Sequence, residues 1–315
     1  MSGRIGVLTS GGDAPGMAAA IAAVAEHAHG AGLETIGFRR GYLGASQGEQ
    51  QLIQMGEAQA LAAQSGTWLQ SSRYPTMQTE EGLAAVVEQL QAANLTGLVV
   101  IGGDGSLNGA RRLADAGVCV AFIPATIDND IPGAPVSDTT LGHHSAVTYG
   151  AQIIHQLRLT GFALPGRAFV IQTLGGRGHR LADAVANAAN VPDVLTSGDD
   201  EEIAAVSASL VRRAGDGEAI AVMPEAIGNA VDIAARLQDK SGIRVHPTIL
   251  GHSQRAAPTT NLDLTLASSA GREAVVELLR GESAFISLNK SGQSIPRPIN
   301  SPATGAVPAQ EGVAP

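Results

Sequence analysis

Residues 97–130 read GLVVIGGDGSLNGARRLADAGVCVAFIPATIDND, and their pattern decides the fold class. An apolar, β-branched run from Leu98 to Ile101 ends on Gly102-Gly103-Asp104-Gly105-Ser106. A second run, Val118 to Ile123, ends on Thr126-Ile127-Asp128-Asn129-Asp130. A helical pattern from Leu107 to Ala116 separates them, which is the order of a βαβ unit. Its parallel strands put both loops at one sheet edge, and open parallel sheets take ligands outside the carboxyl ends of their strands. Three carboxylates and four small loop residues are therefore expected to face one crevice.

Phosphoryl transfer suits such a crevice. Gly102, Gly103 and Gly105 let the backbone approach an anion, and the helix that follows offers N–H groups and the positive end of its dipole to a phosphate. Asp104 is a hard oxygen ligand for Mg²⁺, directly or through water. Asp128 can accept a proton from an attacking hydroxyl while Asp130 orients that hydroxyl or the metal. Either aspartate alone is also what a helix cap or a turn selects. Turn chemistry gives no reason, however, to set acids twice at one edge. The stretch is neither GxGxxG nor a P-loop.

The whole chain sets the bounds. Its 315 residues are long enough for two domains of ordinary size. Hydrophobic residues are 44% and charged residues 16%, a composition that packs a core rather than stays disordered. No apolar run reaches the roughly 18 residues of a membrane helix. No basic, signal-like preface precedes the first strand, so the simplest reading is a soluble cytoplasmic protein. The net charge of −9 argues against nucleic acid or an anionic membrane as a general partner. Any phosphate site must therefore be locally basic. The single cysteine, Cys119, forms no intrachain disulfide and is read as a core residue of its strand.

From the N-terminus, a strand over Arg4 to Thr9 leads into Ser10-Gly11-Gly12-Asp13-Ala14-Pro15-Gly16 and an alanine-rich helix from Met17 to about His29. This is a second strand, glycine turn and helix, again suited to a phosphate. Leu33 to Phe38 is a strand and Gly41-Tyr42-Leu43-Gly44 a turn. Ser71-Ser72-Arg73-Tyr74-Pro75 interrupts helical patterns, and Arg73 is either the cation for nucleotide phosphates or a solvated loop charge. Further helices are expected over Thr139–Leu159, Arg180–Ala189, Asp200–Arg213, Asn229–Lys240 and Asp263–Arg280. Strands are expected over Ala168–Gln172, Ala219–Met223 and Ala284–Leu288. Such alternation means α/β architecture with mainly parallel sheets. The pair His143-His144 has no metal-ligand spacing and is read as structural or exposed.

Five stretches together resemble bacterial ATP-dependent 6-phosphofructokinases: GVLTSGGDAPGM (6–17), GYLG (41–44), IGGDGS (101–106), TIDND (126–130) and LGHSQR (250–255). The resemblance runs from about Arg4 to Leu288. It implies two three-layer α/β/α domains, a glycolytic kinase activity and a homotetramer. It also implies that Gly12, Arg73, Tyr74, Gly103, Asp104, Gly105 and Ser106 hold ATP, with Asp104 on Mg²⁺. Thr126, Ile127, Asp128 and Asp130 would meet the sugar, with Asp128 as the base for its 1-hydroxyl. Arg167, Leu174, Gly175, Gly176, Glu225, His246, His252 and Arg255 fall where such enzymes hold fructose 6-phosphate, and Arg167 would reach the 6-phosphate of a neighbouring subunit. Gly105 and Ala125 are small where pyrophosphate-dependent relatives carry Asp and Lys, which favours ATP as the donor.

The second half departs from the family pattern. Gly176 stands where an arginine is usual, with Arg177 one place on, and His246 stands for a second arginine. Ala256-Ala257 replace a glycine pair, and Ala18 replaces an asparagine. Ala22, Glu26 and the Gly215-Asp216-Gly217 stretch lack the cations of an effector site, so regulation by ADP or phosphoenolpyruvate there is not expected. The domains are expected as residues 1–138 plus 258–290 for ATP and Mg²⁺, and 139–257 for the sugar phosphate. The Pro-, Gly- and Ser-rich 291–315 is read as a disordered tail. Two rival readings are a kinase for another sugar phosphate, polyol or nucleoside, and a catalytically weak regulatory paralogue.

Overall fold

A computed structural model describes residues 3–132 and 137–301. In chain order the elements are β1 (Arg4–Ser10), α1 (Met17–Gly30), β2 (Glu34–Phe38), α2 (Gly41–Ser46), β3 (Gln50–Leu52), α3 (Met55–Leu61), α4 (Glu80–Ala92), β4 (Gly97–Gly102), α5 (Asp104–Asp115), β5 (Val120–Pro124) and α6 (His143–Ala163). There follow β6 (Arg167–Thr173), α7 (Arg180–Ala188), β7 (Asp193–Val194), α8 (Asp200–Arg213), β8 (Ile220–Pro224), α9 (Ala230–Ser241), β9 (Arg244–Ile249), α10 (Asn261–Arg280), β10 (Ala284–Leu288) and β11 (Ser294–Pro298). Short 3₁₀ turns occupy Pro75–Gln78, Glu225–Ile227 and Gly251–Gln254. Packing divides the chain into two compact units. One holds the residues through Ala125, Ile131–Thr140 and those from Leu264 on, and the other holds Thr126–Asp130 and Leu141–Asp263. Among the described residues no helix is long and apolar enough to cross a membrane.

The first unit is built on a seven-stranded sheet of order β11-β10-β5-β4-β1-β2-β3. Its inner strands are parallel, and only β3 and β11 run antiparallel to their neighbours. β4 is buried along its whole length, which is why it reads as a continuous apolar run rather than an alternating one. Phe122 and Phe285 stack 5.6 Å apart in its core. The alanines of α1 let α10 approach closely: a Cβ on Gly271 would lie 2.6 Å from that of Ala23. After β1 the chain moves to β2, and after β4 it moves the other way to β5, so the strand order reverses between β1 and β4. That reversal is where an open α/β sheet leaves a crevice.

The second unit is a parallel four-stranded sheet, β7-β8-β6-β9, packed on an apolar core that includes Val170, Leu210, Met223 and Leu237. Register pairs Thr173 with Pro224 and Gln172 with Ile249. The loops leaving β6, β8 and β9 therefore start at one edge.

Several expectations need correction. Gly41–Ser46 is a short helix rather than a turn. Arg40 takes a left-handed φ of 57°, and a Cβ on Gly41 would sit 2.6 Å from the Thr9 carbonyl oxygen. α6 begins at His143, four residues after the expected start, because Gly142 at φ 90° reverses the chain and Thr139 instead bridges to Leu288. β9 was not foreseen. It is an edge strand carrying Pro247, tolerated there because the missing N–H can face outward. Cys119 lies one residue before β5 and is only half-buried, its Sγ donating to the Glu282 carbonyl at 3.5 Å. The start of the supposed tail is ordered: β11 pairs with β10, Ile299 is buried, and its carbonyl accepts from Arg111 Nε at 3.2 Å. Residues 302–315 of that expected tail lie outside the described residues.

Candidate active site

In the first unit, two glycine loops flank the strand reversal. Gly11, leaving β1, has φ 87°, a left-handed conformation that favours glycine. Leaving β4, Gly103 caps α5, and Asp104 and Gly105 form its first turn. The two loops are stitched together. Ser106 Oγ donates to the Ser10 carbonyl at 3.0 Å, and Tyr42 donates from its hydroxyl to the Ser106 carbonyl at 2.8 Å. Gly102 is required by this closeness, since a Cβ there would sit 2.5 Å from both Ser10 O and Ser106 Oγ. At Gly105 a Cβ would meet nothing within 4 Å.

The same stitching fetches a third segment to this edge. Thr9 Oγ1 donates to the Gln70 carbonyl at 2.9 Å, and Ser71 Oγ donates to the Gly11 carbonyl at 2.5 Å. Exposed Arg73 and half-buried Tyr74 follow directly, the tyrosine resting on the core. Gly12, next to Gly11 in the chain, is exposed. Partial burial pushes the Asp104 carboxyl above its ordinary value, with Arg111 pulling the other way. Two sequence expectations change here. Ser106 is 3% exposed with its hydroxyl committed to Ser10, so it holds the loops together rather than facing the crevice. Ala125 is 1% exposed, its N–H bonded to the Gly102 carbonyl at 2.8 Å, so its small size opens no space.

In the second unit the loop Thr126–Asp130 lies with the segments leaving β6, β8 and β9. The Asp128 N–H donates to Thr126 Oγ1 at 3.2 Å, and the Thr126 N–H donates to the Leu141 carbonyl at 3.0 Å. Gly176, at φ 61°, would place a Cβ 3.7 Å from Asp128 Oδ2. Its N–H donates to Glu225 Oε1 at 3.1 Å. Gln254 holds this loop from behind, accepting from the Leu174 N–H at 2.9 Å and donating to the Ala146 carbonyl at 3.3 Å. Burial pushes the Asp128 carboxyl above its ordinary value. Arg255 offsets this, Glu225 adds to it, and Thr126 and His143 oppose it. Asp128 Oδ1 is buried without a hydrogen-bond partner. Thus Asp128, Gly176, Glu225 and Arg255 share one neighbourhood, with exposed His252 in the turn that leads to Arg255.

Arg167 and His246 are elsewhere. Arg167 starts β6, whereas Leu174 follows its end, a separation of roughly 20 Å at about 3.3 Å per residue. Arg167 pairs in register with Arg244, and His246 with Phe169, whose ring centroid is 5.8 Å from the imidazole. Burial, then Arg244 and Arg167, hold the His246 pKa below its ordinary value, so it is no cation at neutral pH. Arg244 was missed by sequence reasoning, although its place two residues before His246 puts it on the same face of a strand. Arg180, also missed, donates to the Asn129 carbonyl at 3.2 Å, while Arg177 is exposed.

Among the described residues no three or more His, Cys, Asp or Glu converge as a ready metal cage. Comparison with known proteins bears on both units. Residues 4–278 match the family model described as phosphofructokinase. The chain is 39% identical over 288 residues to the ATP-dependent 6-phosphofructokinase 1 of Thermus thermophilus, covering 90% of this chain and 88% of that one. It is 36% identical over 281 residues to the ATP-dependent 6-phosphofructokinase of Halalkalibacterium halodurans, covering 89% and 87%. Among solved structures, phosphofructokinase from Saccharomyces cerevisiae superposes with a TM-score of 0.82 at 24% identity, over 95% of this chain and 45% of the yeast chain. The chain therefore spans less than half of that yeast protein. A pyrophosphate-dependent phosphofructokinase from Nitrosospira multiformis gives 0.81 at 20% identity, over 95% and 84%. These last two likenesses are of fold.

Proposed function

Because the chain belongs to the phosphofructokinase family, we propose that it transfers the γ-phosphoryl group of Mg-ATP to the 1-hydroxyl of fructose 6-phosphate, giving fructose 1,6-bisphosphate in the cytoplasm. The observation that carries the reading is Asp128. A buried carboxylate oxygen without a hydrogen-bond partner costs stability, and such groups gather where a protein needs them for chemistry. Asp128 takes the proton of the 1-hydroxyl as its oxygen attacks phosphorus in line. Thr126 and Asp130 orient that hydroxyl. Leu174, Gly175, Gly176, Glu225, His252 and Arg255 hold the sugar, with the guanidinium offsetting charge beside the base.

ATP is assigned to the loops at the β1–β4 reversal: Gly12, Gly103, Asp104, Gly105, Arg73 and Tyr74, with Arg73 against the charge that develops on the transferring group. Open space at the Gly105 Cβ position suits a nucleotide, and the curated relatives above are named as ATP-dependent. Mg²⁺ is usually held through one or two carboxylates plus substrate phosphates, so the lone carboxylate of Asp104 fits it. When bound, it neutralises charge on the β- and γ-phosphates.

Arg167 and Arg244 lie a sheet's length from Gly176, so within one chain they do not serve the ligand that Asp128 meets. A homotetramer in which Arg167 is offered to a second copy accounts for this, and its test is complementation at low fructose 6-phosphate: mixed Arg167→Ala and Asp128→Asn subunits should be more active than either variant alone. The function itself is tested by coupled assay of the purified protein with Mg-ATP or Mg-pyrophosphate over a wide range of fructose 6-phosphate, with Asp128→Asn as blank. Saturable, ATP- and Asp128-dependent product is expected. Product from pyrophosphate alone would overturn the donor, and none from either would overturn the acceptor.

A further inference from the structure

We propose that His143 is a positioning residue for Asp128, fixing the aim of its carboxylate by holding the peptide group that joins Ile127 to Asp128. The inference rests on Asp128 being the base. Because Asp128 Oδ1 has no hydrogen-bond partner, that oxygen makes no bond that could set the direction of the side chain. The other carboxylate oxygen leaves the side chain only its hydrogen bond to Thr126, so the backbone supplies the rest of the aim, and the peptide before Asp128 is pinned at both ends. Its N–H donates to Thr126 Oγ1 at 3.2 Å, and its carbonyl, that of Ile127, lies 2.8 Å from His143 Nδ1. A carbonyl only accepts, so Nδ1 carries the proton. A plane held from both sides cannot rotate, which fixes where the Asp128 Cα–Cβ bond starts.

His143 is itself firmly placed. It is the first residue of α6. Asp263, with 0% exposure, grips the turn around it by accepting from the Gly142 N–H at 3.1 Å and from the Ser145 N–H at 2.9 Å. The Ser145 hydroxyl donates to the same carboxylate, and the Leu141 carbonyl accepts from Thr126. The chain of support thus runs from Asp263 through the start of α6 to His143, and from its imidazole to the peptide of the base. The charged groups around Asp128 on the other elements, Arg255 and Glu225, act on the carboxylate through its charge, whereas His143 also bonds the adjoining backbone.

The test compares two variants of nearly equal shape, His143→Leu and His143→Asn, since Asn Nδ2 sits where His Nδ1 does and Leu offers no donor. His143→Leu should lower kcat roughly ten- to a hundredfold, the range expected when a catalytic group is misplaced by up to about 1 Å. KM for both substrates should stay within about twofold, because uniform binding is untouched. His143→Asn should recover most of kcat. Leu within about twofold of wild type overturns the proposal, and so does Asn as slow as Leu, which would show that something other than the donor matters. If the leucine variant does not fold, His143→Ala with added imidazole replaces it: a rise in kcat with imidazole supports the proposal, and none overturns it. Asp128→Asn is assayed beside them. If that variant keeps its rate, the reading of Asp128 falls and takes this inference with it. If it loses its rate while His143→Leu does not, only the inference falls.

Discussion

Gly102→Ala and Gly105→Ala, three residues apart in one loop, should shift stability in opposite directions. At Gly102 the new Cβ would sit 2.5 Å from the Ser10 carbonyl oxygen and 2.5 Å from Ser106 Oγ. Ser10 pairs with Gly102 in the β1–β4 ladder, so its oxygen cannot retreat without opening that ladder. Overpacking of this kind costs about 1–3 kcal/mol. Ser106 must also give up its bond to Ser10, adding about 1 kcal/mol. A loss of about 2–4 kcal/mol lowers the melting temperature by roughly 5–15 °C in a domain of this size. At Gly105 a Cβ meets nothing within 4 Å and the residue is helical. Alanine there gains up to about 1 kcal/mol of helix propensity. Melting should hold or rise by a few degrees, while KM for ATP increases because the methyl occupies space assigned to the nucleotide. Calorimetry and ATP titration of both variants provide the readout. If Gly102→Ala melted within about 1 °C of wild type, the close approach of β1, β4 and α5 argued above would be refuted.

Asp128→Asn should lower kcat by about 10²–10⁴ with little change in KM for ATP, and a near-normal rate would remove Asp128 from the role of base. The same variant should melt no lower than wild type at neutral pH. Burial raises the folded-state pKa of Asp128, so the native state holds its proton to higher pH than the unfolded chain does. Ionised Asp128 therefore costs stability above that pKa, and asparagine removes the cost. The direction of this shift also sets the pH dependence: kcat should fall on the acid side at a pH above the ordinary aspartate value of about 3.9, and a limb at or below it would contradict the burial argument. Arg167→Ala should raise KM for fructose 6-phosphate roughly ten- to a hundredfold, as expected for a lost charge-assisted contact. His246→Gln should leave it within about twofold, because burial and its arginine neighbours keep that imidazole neutral.

Sequence patterning reached the α/β class and the loops at the β1–β4 reversal because those depend on local signals. Gly11, Gly102 and Gly103 follow apolar strands directly, and the period of the helices between them is unambiguous. Elements whose existence depends on partners were missed. β9 is an edge strand bearing a proline, and β11 carries two, so neither looks like a strand until β6 or β10 lies beside it. The start of α6 was misread because the apolar pattern continues through Thr139 and Leu141, while the reversal at Gly142 is a matter of backbone angle.

Residue types and their order fix the chemistry available: glycines where backbone meets anion, carboxylates at Asp104, Asp128 and Asp130, and cations at Arg73, Arg167 and Arg255. Tertiary structure alone decided how each is used. Ser106 looked like a phosphate ligand and is a buried stitch, because its hydroxyl meets the end of a strand 96 residues away in the chain. His246 looked like a weaker cation, but burial, and then two neighbouring arginines, push its pKa below the ordinary value. His143 looked idle and holds the peptide of the proposed base, because α6 begins against Ile127. Residue type fixes what a side chain can donate or accept, whereas burial, charge and hydrogen bonding are set by neighbours that only folding brings near.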